Sequence, residues 1–256
     1  MIRFAAPALI APALIASALW ASAPQAADLT DMSDAERTAF RDEVRAYLLE
    51  NPEVIMEAVA LLEQRQAEAE AQADFSLVAA NADALFNDGY SWVGGNPEGD
   101  ITLVEFMDYR CGYCRRAVPE VEKLLKADGN IRLVIKEFPI LGDASMLASR
   151  FAIATKQAAG DDAYKQVHDA LIEFRGDISD VTLRRLADGL GLNTDEIMAQ
   201  MDSPTVSDEI TRTRALAQQL RISGTPTFVL EDELLRGYLP ADQMEILVDA
   251  KRDARG

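Results

Sequence analysis

Ile101-Thr-Leu-Val-Glu-Phe-Met-Asp-Tyr-Arg-Cys111-Gly-Tyr-Cys114-Arg-Arg-Ala-Val-Pro119 is the stretch that decides how the rest of the chain is read. Six of its first seven residues are β-branched or apolar, Glu105 being the exception, and they form a strand pattern closed by a short polar turn. Cys111-Gly-Tyr-Cys114 then opens a segment of helical character. These are the chain's 2 cysteines. Two thiols three residues apart at a strand-to-helix junction are the working unit of dithiol–disulfide exchange. Unpaired N–H groups and the dipole at a helix start favour the first thiolate. The second thiol, one turn deeper, resolves the mixed disulfide. Cys111 is therefore expected to be the more acidic and more accessible sulfur.

Downstream, Asp128-Gly129-Asn130 ends the helix and Ile131–Glu137 reads as another strand. A wholly helical block follows. Its apolar stripes are Met146, Leu147, Phe151 and Ala154, then Tyr164, Val167, Leu171 and Phe174, then Leu183, Leu186, Ala187 and Leu190. A longer helix is predicted from about Thr205 to Leu220. Gly224–Leu230 and Glu233–Arg236 read as a hairpin across Glu231-Asp232, and a last helix covers about Ala241 to Lys251. Upstream, Tyr90–Val93 is a short first strand between turn clusters.

Further upstream, Ser33-Asp-Ala-Glu36 is a capping box before a helix with Phe40, Val44, Tyr47 and Leu48 on its apolar face. Asn51-Pro52 breaks it and starts the next helix. Ile55, Val59 and Leu62 recur there at four-then-three spacing, and the sequence then turns polar. Residues 74–87 read as a separate short linking helix. Residues 28–72 are too few to bury their own apolar face. Either they pack on the main domain of the same chain, or they self-associate through Ile55, Val59 and Leu62.

With 256 residues, 49% hydrophobic and 27% charged, the composition is globular. A net charge of −18 argues against nucleic acid as a partner. Residues 1–27 read as a signal peptide: Arg3 is followed by an apolar run of roughly 17 residues and small residues at Ala26-Ala27. Two prolines, Pro7 and Pro12, favour cleavage over a membrane anchor. Export implies an oxidising compartment, most simply a bacterial periplasm, where a lone, closely spaced cysteine pair is functional rather than a staple.

Strand, Cys-x-x-Cys helix, strand, helical block, Thr-Pro before a hairpin and a final helix together resemble the thioredoxin fold. The combination of Cys111-Gly-Tyr-Cys114 with Thr225-Pro226 carries the likeness, over about residues 89–251, to DsbA-like thiol–disulfide oxidoreductases. That implies an α/β fold with a helical insertion at about 143–204 inside a domain at 89–256. The run Tyr47–Val59 resembles the N-terminal segment of the ScsC-type (suppressor of copper sensitivity C) proteins. There the segment mediates oligomerisation and turns a DsbA-like unit towards isomerisation. The resemblance makes 28–88 an association segment and linker, and favours a homo-oligomer through 28–72.

Cys111 is the expected nucleophile and Cys114 the resolving thiol. Gly112-Tyr113 differs from the Pro-His of the family's best-known oxidases, and a tyrosine cannot set a positive charge beside the thiolate. A thiol pKa depressed less than DsbA's value of about 3.5 is expected, with a weaker oxidising power. Glu105 matches a buried acid of the family that relays the proton for Cys114, with Lys136 on the next strand as its expected partner. The resemblance also implies a cis Pro226 facing the cysteines, with the Thr225 backbone free to pair with an extended substrate strand. Arg110, Arg115 and Arg116 either favour thiolate and steer substrates or are a solvated flank. His168 reads as a packed core histidine.

The expected activity is isomerisation or reduction of disulfides in exported cysteine-containing proteins, with a membrane reductase as redox partner. A net oxidase recharged by a quinone-linked membrane partner is the alternative. No cofactor and no resident metal are expected. A copper(I)-binding role for the same two thiols is the reading from another class.

Overall fold

The computed structural model describes residues 32–255, so the signal-peptide reading of 1–27 lies outside the described residues. Ser33 caps helix α1 (Asp34–Glu50): Glu36 N–H donates to the Ser33 hydroxyl at 3.4 Å, and Ser33 N–H donates back to Glu36 at 2.8 Å. Helix α2 runs unbroken over Glu53–Ala80, and α3 (Ala82–Phe86) follows. The separate linking helix expected at 74–87 is thus divided between them. No Gly or Pro interrupts Glu53–Ala80, and its Ala, Glu and Gln are strong helix formers, so the backbone has no reason to stop sooner. Among the described residues no helix is long and apolar enough to cross a membrane.

The sheet contains β1 (Trp92–Gly95), β2 (Ile101–Met107) and β3 (Ile131–Glu137), with helix α4 (Gly112–Asp128) joining the last two. Five helices come next: α5 (Asp143–Ala159), α6 (Asp161–Glu173), α7 (Asp180–Gly189), α8 (Thr194–Gln200) and α9 (Pro204–Gln219). Strands β4 (Thr227–Leu230) and β5 (Glu233–Arg236) form the hairpin, and α10 (Ala241–Asp253) closes the chain. The strand order is β1-β3-β2-β4-β5. β2 and β3 are parallel, as a crossover helix requires, and the other pairs are antiparallel. This is the α/β thioredoxin fold expected from the sequence.

Alternation along β2 and β3 sends side chains to two cores. Ile101, Leu103, Met107, Leu133 and Ile135 pack with Val121, Leu124, Phe151, Tyr164 and Val248 on one face. Val104, Phe106 and Val134 pack on the other with Val78, Leu85, Leu216 and Leu220. The second face holds a buried ion pair between Lys136 and Asp88, and Lys136 Nζ also donates to the Ala84 carbonyl at 2.8 Å. Arg236 binds Asp74 at 2.9 Å.

The chain divides into two compact units between Leu61 and Leu62. The expected boundary at 88/89 therefore falls inside the second unit, because Asp74, Val78, Leu85 and Asp88 are part of its packing and polar network. In the first unit, α1 buries none of its residues, and Phe40, Val44, Tyr47, Ile55 and Val59 are all exposed.

Candidate active site

Cys111 is the N-cap of α4, in extended backbone, and its sulfur accepts from the Cys114 N–H at 3.4 Å. Both thiols are free. As a thiol, Cys111 donates to the Thr225 carbonyl at 3.1 Å, so the loop before β4 lies against the sulfur. The Thr225–Pro226 peptide is cis. Cys111, Cys114, Thr225 and Pro226, chosen from distant parts of the chain, are thus brought to one place.

Cys111 is less open than expected. It is 7% exposed and Cys114 0%, so Cys111 is the more open of the two sulfurs but only narrowly.

The Cys111 pKa is lowered to about 5. The Cys114 thiol, which can donate to the Cys111 sulfur, contributes most. Partial burial opposes the shift, while the Thr225 side chain and the backbone N–H groups of Cys114 and Tyr113 add to it. The helix terminus was expected to be the chief cause, and the neighbouring thiol outweighs it. Cys114 is pushed far up, first by its hydrogen bond to Cys111, then by burial and by the nearby Glu105 charge.

Glu105 does turn inward: it is buried, and its Oε1 has no hydrogen-bond partner among the described residues. Burial raises its pKa to about 8, with further push from Cys111 and Glu137. Lys136 is not its partner. Glu105 pairs in register with Ile135, and Lys136, one residue on, points to the opposite face. Glu105 instead lines a cavity of about 70 Å³, together with Val118, Ile135 and His168, that reaches Glu122 and Lys165. That volume is enough for water.

A buried polar cluster behind the thiols was not foreseen. Glu137 accepts from the hydroxyls of Tyr109 at 2.7 Å, Tyr164 at 2.6 Å and Ser149 at 2.7 Å. Burial raises Glu137 to about 7 against those three hydrogen bonds. Tyr109, two residues before Cys111, also lies 3.2 Å from His168 Nδ1. His168 is a packed core residue, as read from the sequence, and burial lowers its pKa to about 3. The strand period that turned Glu105 inward also does so for Glu137, and could have marked it.

Of the three arginines singled out, Arg116 lies over the Tyr113 and Tyr238 rings, 5.6 and 4.8 Å from their centroids. Arg115 Nε donates to the Tyr109 carbonyl at 3.0 Å. Arg110 Nη1 donates to the Gly176 carbonyl at 3.4 Å. Among the described residues no group of three or more His, Cys, Asp or Glu side chains is placed to hold a metal.

An acidic N-cap thiol, a buried partner thiol and a backbone carbonyl against the reactive sulfur, on this sheet, define a thiol–disulfide oxidoreductase of thioredoxin fold. The DSBA-like thioredoxin domain family matches residues 102–250, and the chain belongs to it. The copper resistance protein ScsC N-terminal domain matches residues 36–69. A thioredoxin-like oxidoreductase from Silicibacter pomeroyi DSS-3 is 44% identical, over 67% of this chain and 97% of its own, with a TM-score of 0.63. Proteus mirabilis ScsC in a transitional conformation is 28% identical, over 86% of this chain and 97% of its own, with a TM-score of 0.62. The chain is also 32% identical over 136 residues to the Na(+)/H(+) antiporter NhaA 3 of Salinispora tropica, of whose length it spans 21%.

Proposed function

We propose that this chain is an exported, self-associating disulfide isomerase or reductase of the periplasm, acting on proteins with mispaired cysteines. The observation that carries the reading is a Cys111 thiol near 5, acidic enough to be ionised at neutral pH. DsbA, a strong oxidant, has a thiol pKa of about 3.5; a less stabilised thiolate gives a less oxidising pair.

In the first step the Cys111 thiolate attacks one sulfur of a client disulfide. A Cys111–client bond forms and the other client sulfur leaves as thiolate. In isomerisation that thiolate attacks another client disulfide, and the client thiolate released there attacks the client sulfur bound to Cys111, so Cys111 leaves as thiolate with no net electron transfer. In reduction Cys114 gives its proton to ionised Glu105 and attacks Cys111. A Cys111–Cys114 disulfide forms, the client leaves as thiolate, and two electrons have passed to it. A membrane reductase then returns two electrons to the pair.

The electrostatics time the second step. Cys111's negative charge raises both Glu105 and Cys114, and the mixed disulfide removes that charge. Glu105 ionises more readily and Cys114 gives up its proton more easily, at the moment a base is required. The Thr225 backbone holds the client strand, with Pro226 fixing the loop.

Self-association rests on the exposed Ile55, Val59 and Leu62. An assembly that holds two or more Cys111 sites around one client favours rearrangement over a single exchange. The test is refolding of a scrambled-disulfide substrate by the full chain and by the Ile55→Asp/Val59→Asp variant. Isomerisation should fall several-fold in the variant. Equal isomerisation, or a Cys111 found oxidised in protein taken from cells, would contradict the reading and favour the oxidase.

A further inference from the structure

We propose that Arg110, Arg115 and Arg175 form an anion subsite beside Cys111, which takes an acidic side chain of the client chain close to the cysteine under attack. The proposal rests on the exchange reading of Cys111 and names a class of client for it. Arg115 sits at the centre. Its Nε is used by the Tyr109 carbonyl, while its buried Nη2 has no hydrogen-bond partner among the described residues. A buried cationic N–H without an acceptor is costly, and a rotation of the half-buried Arg115 side chain toward an incoming carboxylate supplies one.

The other two arginines flank it. Arg110 reaches the Gly176 carbonyl at 3.4 Å, next to Arg175, whose Nη1 donates to the Ile172 carbonyl at 2.8 Å. Burial, then Arg175, then Arg110 depress the Arg115 pKa, so the three charges crowd one another. Asp108 is the carboxylate that acts on Arg115, and its oxygens are already committed. Oδ1 accepts from Arg110 N–H at 2.7 Å, and Oδ2 from Ile140 and Leu141 N–H at 2.8 and 3.1 Å.

The contrast with five other arginines sharpens the point, while Arg132 and Arg214 also end on backbone carbonyls. The chain carries −18, and Arg150, Arg184, Arg236, Arg252 and Arg255 all find carboxylates. The trio beside the nucleophile makes its hydrogen bonds to backbone carbonyls. Besides the already committed Asp108, the Cys111 thiolate is its nearby anion, and exchange consumes that charge. Once the mixed disulfide forms, the pull on a client carboxylate grows, holding the client until resolution.

Three disulfide peptides test this, identical except for Glu, Gln or Lys beside the reacting cysteine. With the full chain the Glu peptide should exceed the Gln peptide about tenfold in kcat/KM, through KM, the size of one charge-assisted hydrogen bond. The Lys peptide should be poorest, and added salt should shrink the spread. In the Arg115→Gln variant the Glu and Gln peptides should become equal, and in the Arg110→Gln/Arg175→Gln variant the gap between them should narrow. Binding to the Cys111→Ser chain, read by fluorescence anisotropy, should follow the same order without any exchange. Equal peptides in both measurements with the unaltered chain, or a full preference that survives in the Arg115→Gln variant, would overturn the subsite. Ordered binding without exchange by the unaltered chain would support the subsite and sink the exchange reading alone.

Discussion

The acidity of Cys111 is made by its neighbours, and each can be removed singly. The Cys114 thiol contributes most, so Cys114→Ala should raise the Cys111 midpoint from about 5 by at least a unit, read as thiolate absorbance against pH. Folded reduced protein releases the Cys111 proton at about 5, against an ordinary value of 9.0, so its stability should rise with pH between them. Cys111→Ser should lose that slope. Glu105 has the opposite sign. The folded chain keeps its proton up to about 8, whereas the unfolded chain loses it near 4.5, so stability falls with rising pH across that window. Glu105→Gln should therefore stabilise the fold most at and above pH 8 and little below 4.5, in urea melts, while mixed disulfides with clients last longer. The cysteine pair and the inward turn of Glu105 were legible from spacing and alternation. The partner of Lys136 was not, since adjacency of strands says nothing of parity until the register is known. Arg175 was invisible for another reason: only the tertiary fold carries its loop back to Arg115.

At the scale of elements, capping and turn chemistry placed most boundaries. The Ser33 capping box, the Gly129 stop and the Glu231-Asp232 hairpin all stand where local residues demand them. The continuous α2 was missed because a fading apolar stripe reads as an ending, although propensity alone carries the helix on to Ala80. Its exposed seam makes a specific prediction. Ile55→Asp/Val59→Asp should lower the molar mass measured by light scattering, with no change in the thermal melt of the disulfide-exchange domain. Gly95 tests the sheet edge. It ends β1 at φ +67°, and a Cβ there would sit 2.4 Å from the Ile131 carbonyl oxygen. Gly95→Ala should cost about 1–3 kcal/mol in denaturant unfolding, because backbone strain and a backbone clash combine.

Across the whole molecule, the thioredoxin order of elements was readable because it is written in local signals along the chain. The division into units was not, since Asp74, Val78, Leu85 and Asp88 look like linker until they are seen in the second core and its polar network. A chain shortened to Gly89 would leave Lys136 buried without its carboxylate, and it should unfold at markedly lower urea than one beginning at Leu62. Every catalytic step described above runs through one sulfur. The most direct test is alkylation of the reduced full chain across pH, with the modified residue identified by mass spectrometry. Modification should fall on Cys111, with a rate midpoint near 5. Modification at Cys114, or a midpoint near the ordinary thiol value of 9.0, would contradict the account.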